Sequence, residues 1–447
     1  MSDLGQHPIE PAEPSYRKRL PAGVIDSAFA AFANFAVGLT AVNLFDDVNR
    51  GVYAVYFAAF ILGGVIPRYL IYTPAEVQAV SYPVERRLAV FRESLVLGIG
   101  PAAIGSLAAV AAFFVTSGYA TPEVNNALLA TSALAMALSP MQDHARALFH
   151  IAAESWSAVA VSVIQFTTVA VSLVSGILLD LPIAWVPFGA LCIANGISLT
   201  AAWIISKSRI REAAPDILHF RSLASKGRWL VVHAIAPPLA GFAVMAIIYA
   251  LSGPEDAGYA ESARVVAQPV LVLATGLAAV LAPRSMRAAM DLDRATARHT
   301  LRVFVVIIGI AGGAYFAVAS VDWVLNPMAY LVPSAYVVPG LAAVSIVATL
   351  FLAPLFIQTA ELLGARKERQ LAVIAFIANP LQILIGFSAA FIGPFARPVS
   401  LIAEASSRLV LQRRVLRSVY GGHDDELSSG AEDGGLSTDR SSDGARP

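Results

Sequence analysis

AGVIDSAFAAFANFAVGLTAVNLF, residues 22–45, runs for 24 residues with one charged side chain, Asp26. Coiled as a helix it is about 36 Å long, enough to cross a hydrocarbon core of about 30 Å. The polar, Pro-containing segment before it ends in Arg17-Lys18-Arg19. The run is longer than the apolar core of a signal peptide and lacks a small-residue cleavage pattern, so it reads as a membrane span. Similar runs follow at 52–75, 94–117, 124–145, 156–179, 183–206, 229–252, 260–283, 300–325, 336–360, 370–392 and 396–412. Composition agrees. Hydrophobic residues make up 57% of the 447 and charged residues 14%, against about 45–50% and about 25% in soluble domains. The chain is expected to be an all-α integral membrane protein of about twelve helices. Soluble-enzyme, disordered, collagenous and disulfide-rich classes are excluded.

Basic and acidic residues number 31 each, without the basic excess of a nucleic-acid binder. Their placement is uneven. Of the basic residues, 26 fall on one side, in tails, loops and the first turn of the ninth span (Arg302), while Arg50 and Arg397 fall on the other. The positive-inside rule then puts both termini in the cytoplasm. An Arg-rich, Ala-rich composition points to a GC-rich bacterial genome, and hence to the bacterial cytoplasmic membrane. Cys192 is the only cysteine, so neither an intramolecular disulfide nor a cysteine-based metal site is expected.

The chain repeats itself. Gly51 and Pro74 of the second span match Gly258 and Pro283 of the eighth. SPMQDHARALFHIAAES (139–155) aligns with APLFIQTAELLGARKER (353–369), Pro140 on Pro354 and Glu154 on Glu368. An even number of spans per half makes these parallel repeats around a central cavity. The expected organisation is a cytoplasmic tail (1–21), a six-helix half (22–206), a basic linker (207–228), a second six-helix half (229–414) and a C-terminal tail (415–447). The Ser/Gly/Asp-rich end, from 421, carries seven acidic and two basic residues and reads as disordered.

The first-span pattern DSAFAAFANFAVGLTAVNLF (26–45), the turn DDVNRGVYAVYF (46–57), Pro74 and the helix-turn ARALFHIAAESW (145–156) together resemble the multidrug/oligosaccharidyl-lipid/polysaccharide exporter (MOP) superfamily. Within it, the chain looks most like the O-antigen-type branch of polysaccharide biosynthesis. That resemblance covers about 22–414. It implies a non-enzymatic flippase moving a polyprenyl-pyrophosphate-linked saccharide from the inner to the outer leaflet by alternating access. Implied partners are that lipid-linked substrate, membrane lipid, a polysaccharide polymerase and glycosyltransferases. An ion-coupled drug or small-molecule antiporter of the same superfamily is the competing reading.

A charge inside the bilayer costs at least about 2.5–3.5 kcal/mol, so each needs a partner or a task. Arg264 sits about one turn into the eighth span, with Glu261 on its own helical face. Either it faces the cavity and grips an anionic headgroup, or it snorkels to the interface. Arg68 and Asp26 lie at similar depth in spans two and one and are expected to pair at the cavity floor. Glu404 and Arg408 stand at i, i+4 in the favourable order for a helical ion pair. Pro237-Pro238 is expected to interrupt span seven as a hinge or a static kink. Asn34 and Asn43 face opposite ways on span one, so at least one should join helices. Tyr53 and Tyr259 are candidates for the cavity mouth. No phosphate-binding Gly-rich loop, H-E-x-x-H or Cys/His cluster occurs, which points to no cofactor, metal or ATPase chemistry in this chain.

Overall fold

The computed structural model describes residues 16–80, 82–209, 218–320, 326–334 and 337–433. Twelve long helical segments alternate in direction: α1 (Tyr16–Leu44), α2 (Asp47–Val80), α3 (Val90–Thr116), α4 (Pro122–Ile151), α5 (Ser155–Leu178) and α6 (Val186–Arg209) form the first half. The second holds α7 (Phe220–Leu251), α8 (Pro254–Met290), α9 (Arg294–Ser320), α10 (Leu341–Gly364), α11 (Glu368–Gly386) and α12 (Ala396–Asp433). Nine of the described helices are long and apolar enough to cross a membrane, or ten with the bent α8. The two that fall short are α4 and α12. They carry Asp143, His144, Arg146 and His150, and Glu404 and Arg408, whose partners are described below.

Local chemistry sets the starts. Asp46 caps α2, its carboxylate accepting from Asn49 N at 2.8 Å; Thr121 caps α4 ahead of Pro122. Gly253, at φ +98, turns the chain into Pro254 of α8. The caps Asp46 and Gly253 are 207 positions apart, the offset of Gly51 from Gly258. Pro74 has no N–H for the Leu70 carbonyl, and α2 carries a π-helical turn at Arg68–Tyr72 there. The matching Pro283 frees the Ala279 carbonyl, and α8 bends by 46° between Ala278 and Val280.

The repeat is visible in the packing. α1 lies on α5, α2 on α3 and α4, α4 on α6, and α5 on α6; α7 lies on α11, α8 on α9 and α10, α10 on α12, and α11 on α12. Each first-half contact has its second-half counterpart. The turns after α4 and α10 close alike: Ala153 and Arg366 are left-handed (φ 67 and 55), and Glu154 N and Lys367 N donate to Phe149 O and Leu362 O. This turn fixes an offset of 213 there, one residue less than the sequence alignment of 139–155 on 353–369.

The halves meet along α2 against α8, α1 against α8 and α2 against α7. A Cβ on Gly51 would overlap the Pro254 carbonyl, and one on Gly258 would lie 3.3 Å from the Arg50 side chain. At the basic-loop end, a Cβ on Gly227 of α7 would press on the Tyr69 and Leu70 carbonyls of α2. An apolar cluster joins Val37, Ala41 and Tyr53 of the first half to Val244, Ile248 and Ala257 of the second, sealing the end opposite the basic loops.

Three expectations change. α7 begins at Phe220, nine residues before the expected span, and residues 210–217 of the linker lie outside the described residues. The chain stays helical from 415 to Asp433, where the composition reads as a tail, because Leu416 and Tyr420 are buried and the Tyr420 hydroxyl donates to Glu361 at 2.8 Å. Residues 434–447 lie outside the described residues. Tyr53 is fully buried, stacked among Phe45, Phe57 and Phe188, and lines no mouth.

Candidate functional site

The span charges singled out by the sequence gather into two groups, one per half. In the second half, Arg264 is the tenth residue beyond Pro254. At 1.5 Å per residue that is about 15 Å along α8, and its side chain is largely enclosed, about one-fifth exposed. Its neighbour Glu261 is fully buried. Arg264 donates to both Glu261 oxygens, through Nε at 3.0 and 2.9 Å and Nη2 at 2.7 Å. Arg397, from the start of α12, donates to Glu261 Oε2 at 2.8 Å. Sequence reading left Arg397 in a loop; a basic residue opening a helix with two further charges on it was the available signal.

One carboxylate thus holds two guanidiniums. Arg264 also donates to Gln268 Oε1 at 3.2 Å and lies over the Phe57 ring at 4.2 Å. Beside it, Arg408 Nη1 donates to Glu404 Oε1 at 2.9 Å, the i, i+4 pair the sequence predicts, and both side chains are buried.

A cavity of about 280 Å³ opens among these groups, lined by Arg264, Arg397, Glu404, Arg408, Gln268 and Gln382. Ala58 and Ile61 of α2 form part of its wall, so it faces the seam between the halves. Pro237, Pro238 and Gly241 line it too. α7 runs unbroken through both prolines, correcting the expected interruption. The prolines withdraw donors from the His233 and Ala234 carbonyls, and such carbonyls are tolerated where they line a cavity.

Three arginines face two carboxylates, Glu261 and Glu404, leaving one positive charge in excess. Three cavity-lining atoms, Glu404 Oε2, Arg408 Nε and Gln382 Oε1, are buried without a partner. A buried polar group without a partner costs about 1–3 kcal/mol, so the cavity wall is polar where these residues meet it.

In the first half, Asp26 does not pair with Arg68. Arg146 of α4 takes it bidentately, Nε to Oδ1 at 2.9 Å and Nη2 to Oδ2 at 2.7 Å. His150 Nε2 stands 3.0 Å from Oδ2, and the Ser162 hydroxyl donates to Oδ1 at 2.5 Å. Arg68 instead donates to Asp143 at 3.1 Å, which also accepts from Arg146 at 3.1 Å. Asp26 and Arg68 therefore share a network through two intermediaries, and Arg68 is about half exposed. The i, i+3 and i, i+4 spacing of Asp143, Arg146 and His150 was the overlooked signal. Deeper in this half the polar groups form a paired chain: Gln142 donates to Gln165, Gln165 to Asn195, and Asn195 to Ser139, at 3.0, 2.7 and 2.8 Å. Asn43 joins α1 to the second half, donating to Leu331 O at 2.9 Å. Among the described residues no group of three or more His, Cys, Asp or Glu is arranged to hold a metal ion.

No protein-family model and no curated protein matches the chain. Solved structures do match in fold. An inward-facing multidrug resistance MATE family transporter of the MOP superfamily aligns over 89% of this chain and 95% of its own, at 15% identity and TM-score 0.57. A eukaryotic MATE transporter aligns over 91% and 98%, at 13% identity and TM-score 0.64. A MOP superfamily transporter from Pyrococcus furiosus, described by the reverse polarity of its binding pocket, aligns over 91% and 97%, at 12% identity and TM-score 0.61. At these identities the likeness is one of fold: the chain is a multi-pass membrane protein with the twelve-helix architecture of MOP superfamily transporters.

Proposed function

We propose that the protein is a secondary transporter of the MOP superfamily working by alternating access, an ion-coupled antiporter of a small solute that carries an anionic group. The observation that carries this is the second-half cavity, with its excess of one positive charge and its unpartnered Glu404, Arg408 and Gln382 atoms. Guanidinium forks match carboxylate, sulfonate and phosphate oxygens and stay charged when desolvated. The Asp26 network is the candidate coupling site. It offers a carboxylate and a histidine 3.0 Å apart, close to the exposed Arg68–Asp143 pair. With the basic loops placed in the cytoplasm, that network lies toward the cytoplasmic end of a bacterial inner membrane.

The lipid-linked saccharide flippase is the second reading. One observation favours it: three arginines suit a pyrophosphate. The size of the cavity favours a small solute. About 280 Å³ lies at the lower edge of drug-sized sites, about 300–1,000 Å³, and an oligosaccharide headgroup needs more.

Proteoliposomes holding the full-length chain and an imposed pH gradient test the proposal. Movement of a drug-sized fluorescent organic anion, lost in Arg264→Ala and stronger than that of a cationic dye, supports it. Absence of any gradient-driven solute movement, alongside leaflet transfer of a labelled polyprenyl-pyrophosphate saccharide, gives the second reading instead.

A further inference from the structure

A second basic pocket lies at the end of the molecule that carries the basic loops. It is built where the start of α9, the end of α10 and the far end of α12 converge, and holds about 150 Å³. Arg294 and Arg298 come from the first two turns of α9, and Arg413 and Arg417 from α12. Arg413 is 17 residues beyond Ala396, about 26 Å along α12, the level of lipid headgroups rather than of the central cavity.

The floor is polar and unfinished. Gln358 lines the pocket and is fully buried, yet neither its Nε2 nor its Oε1 has a partner. Glu361 beside it accepts from the Tyr420 hydroxyl at 2.8 Å. Arg298, Arg413 and Arg417 make no ion pair or hydrogen bond among the described residues. Among the described side chains the nearby acids are Glu361 and Asp293, and the latter caps α9 by accepting from Thr296 N at 3.0 Å. Neither forms an ion pair with Arg298, Arg413 or Arg417.

The first half shows that the fold does not require this. At the offset of 213 set by the turns, Gln358 and Glu361 correspond to Ala145 and Leu148, which pack in an apolar core. An amide and a carboxylate in their place, under unpaired arginines, need something to bind.

We infer that this pocket is a binding site for a phosphate-bearing anion, with Arg298, Arg413 and Arg417 gripping the phosphate oxygens and the Gln358 amide donating from below. Guanidinium–phosphate bonds are charge-assisted and bidentate, and the amide supplies the neutral donor that its burial otherwise wastes. The phosphate can belong to a lipid headgroup at this depth or to a soluble phosphate from the aqueous side. The site is separate from the Arg264 cavity and does not depend on what that cavity carries.

Titration calorimetry on the full-length protein in phosphatidylcholine nanodiscs tests it, with two probes: inorganic phosphate and short-chain phosphatidylglycerol. At least one should bind. Arg413→Gln with Arg417→Gln should weaken that binding by about tenfold or more, and Gln358→Leu should weaken it also. Binding of phosphatidylglycerol alone assigns a lipid headgroup, and binding of both assigns the phosphate itself. Both arginines are exposed, so the double variant keeps its fold, checked by its unfolding temperature. No heat with either probe, or equal affinity in wild type and double variant, overturns the inference.

Discussion

The Arg264 guanidinium lies 4.2 Å from the centre of the Phe57 ring, and Phe57 is the residue 207 positions earlier, its counterpart in the first half. The two repeats touch through equivalent positions, one aromatic and one cationic. At the neighbouring position the first half has Ala54 where the second has Glu261. A duplicated helix crossing thus became a one-sided charged site by substitution at equivalent places.

Arg264→Ala is expected to abolish solute movement with protein level retained, and Arg264→Lys to restore only part of it. The ammonium keeps the charge but loses both the fork on Glu261 and the flat stack on Phe57. Phe57→Leu should cost less, since a cation–π contact contributes about 0.5–2 kcal/mol. Initial transport rates of the three variants at matched protein level check the order.

Glu261→Gln is expected to be the most damaging single change to stability here. Glu261 is the shared acceptor of Arg264 and Arg397, so its neutralisation strands two largely enclosed cations. Breaking a buried pair costs about 3–5 kcal/mol. A thermal-shift measurement in detergent should show a larger loss for Glu261→Gln than for Arg397→Gln. The reverse order would mean that Arg264 alone satisfies the carboxylate.

Asp26→Asn is expected to uncouple the two halves of the cycle. The amide keeps the Ser162 hydrogen bond but loses the charge that holds Arg146 and His150, while Arg146 retains Asp143. Solute binding at the second-half cavity should persist, and pH-gradient-driven accumulation should fall to the level of passive exchange. Unchanged accumulation in Asp26→Asn would move the coupling site elsewhere.

Gly51→Ala should prise the halves apart where a Cβ meets the Pro254 carbonyl, and Gly241→Ala should be tolerated because nothing lies within 4 Å of its Cβ. Gly241→Leu should project into the cavity and block the solute without unfolding the chain. Unfolding temperature and transport rate, measured on all three, separate packing from occupancy.

Cysteines at Ser208 and at Glu255, in a Cys192→Ser background, should react with an impermeant thiol reagent from opposite sides of the membrane. Both positions are exposed, and Glu255 avoids the strained φ of Gly253. Labelling of both from outside intact cells would refute the placement of the basic loops in the cytoplasm.

The sequence alone determined the spans, the duplication and the pairs made within one helix. Hydropathy sums along the chain, and i, i+3 or i, i+4 spacing places two side chains on one helical face whatever surrounds it, so Glu261–Arg264 and Glu404–Arg408 were legible. Partners across helices were decided by the tertiary structure. Asp26 takes Arg146 rather than Arg68, Glu261 gains Arg397, and Tyr53 turns into the core. Each outcome depends on how far a helix is rotated about its axis and how deep it starts. Those two quantities are set by packing at contacts such as Gly51 on Pro254, between residues some 200 positions apart, and no local pattern encodes them.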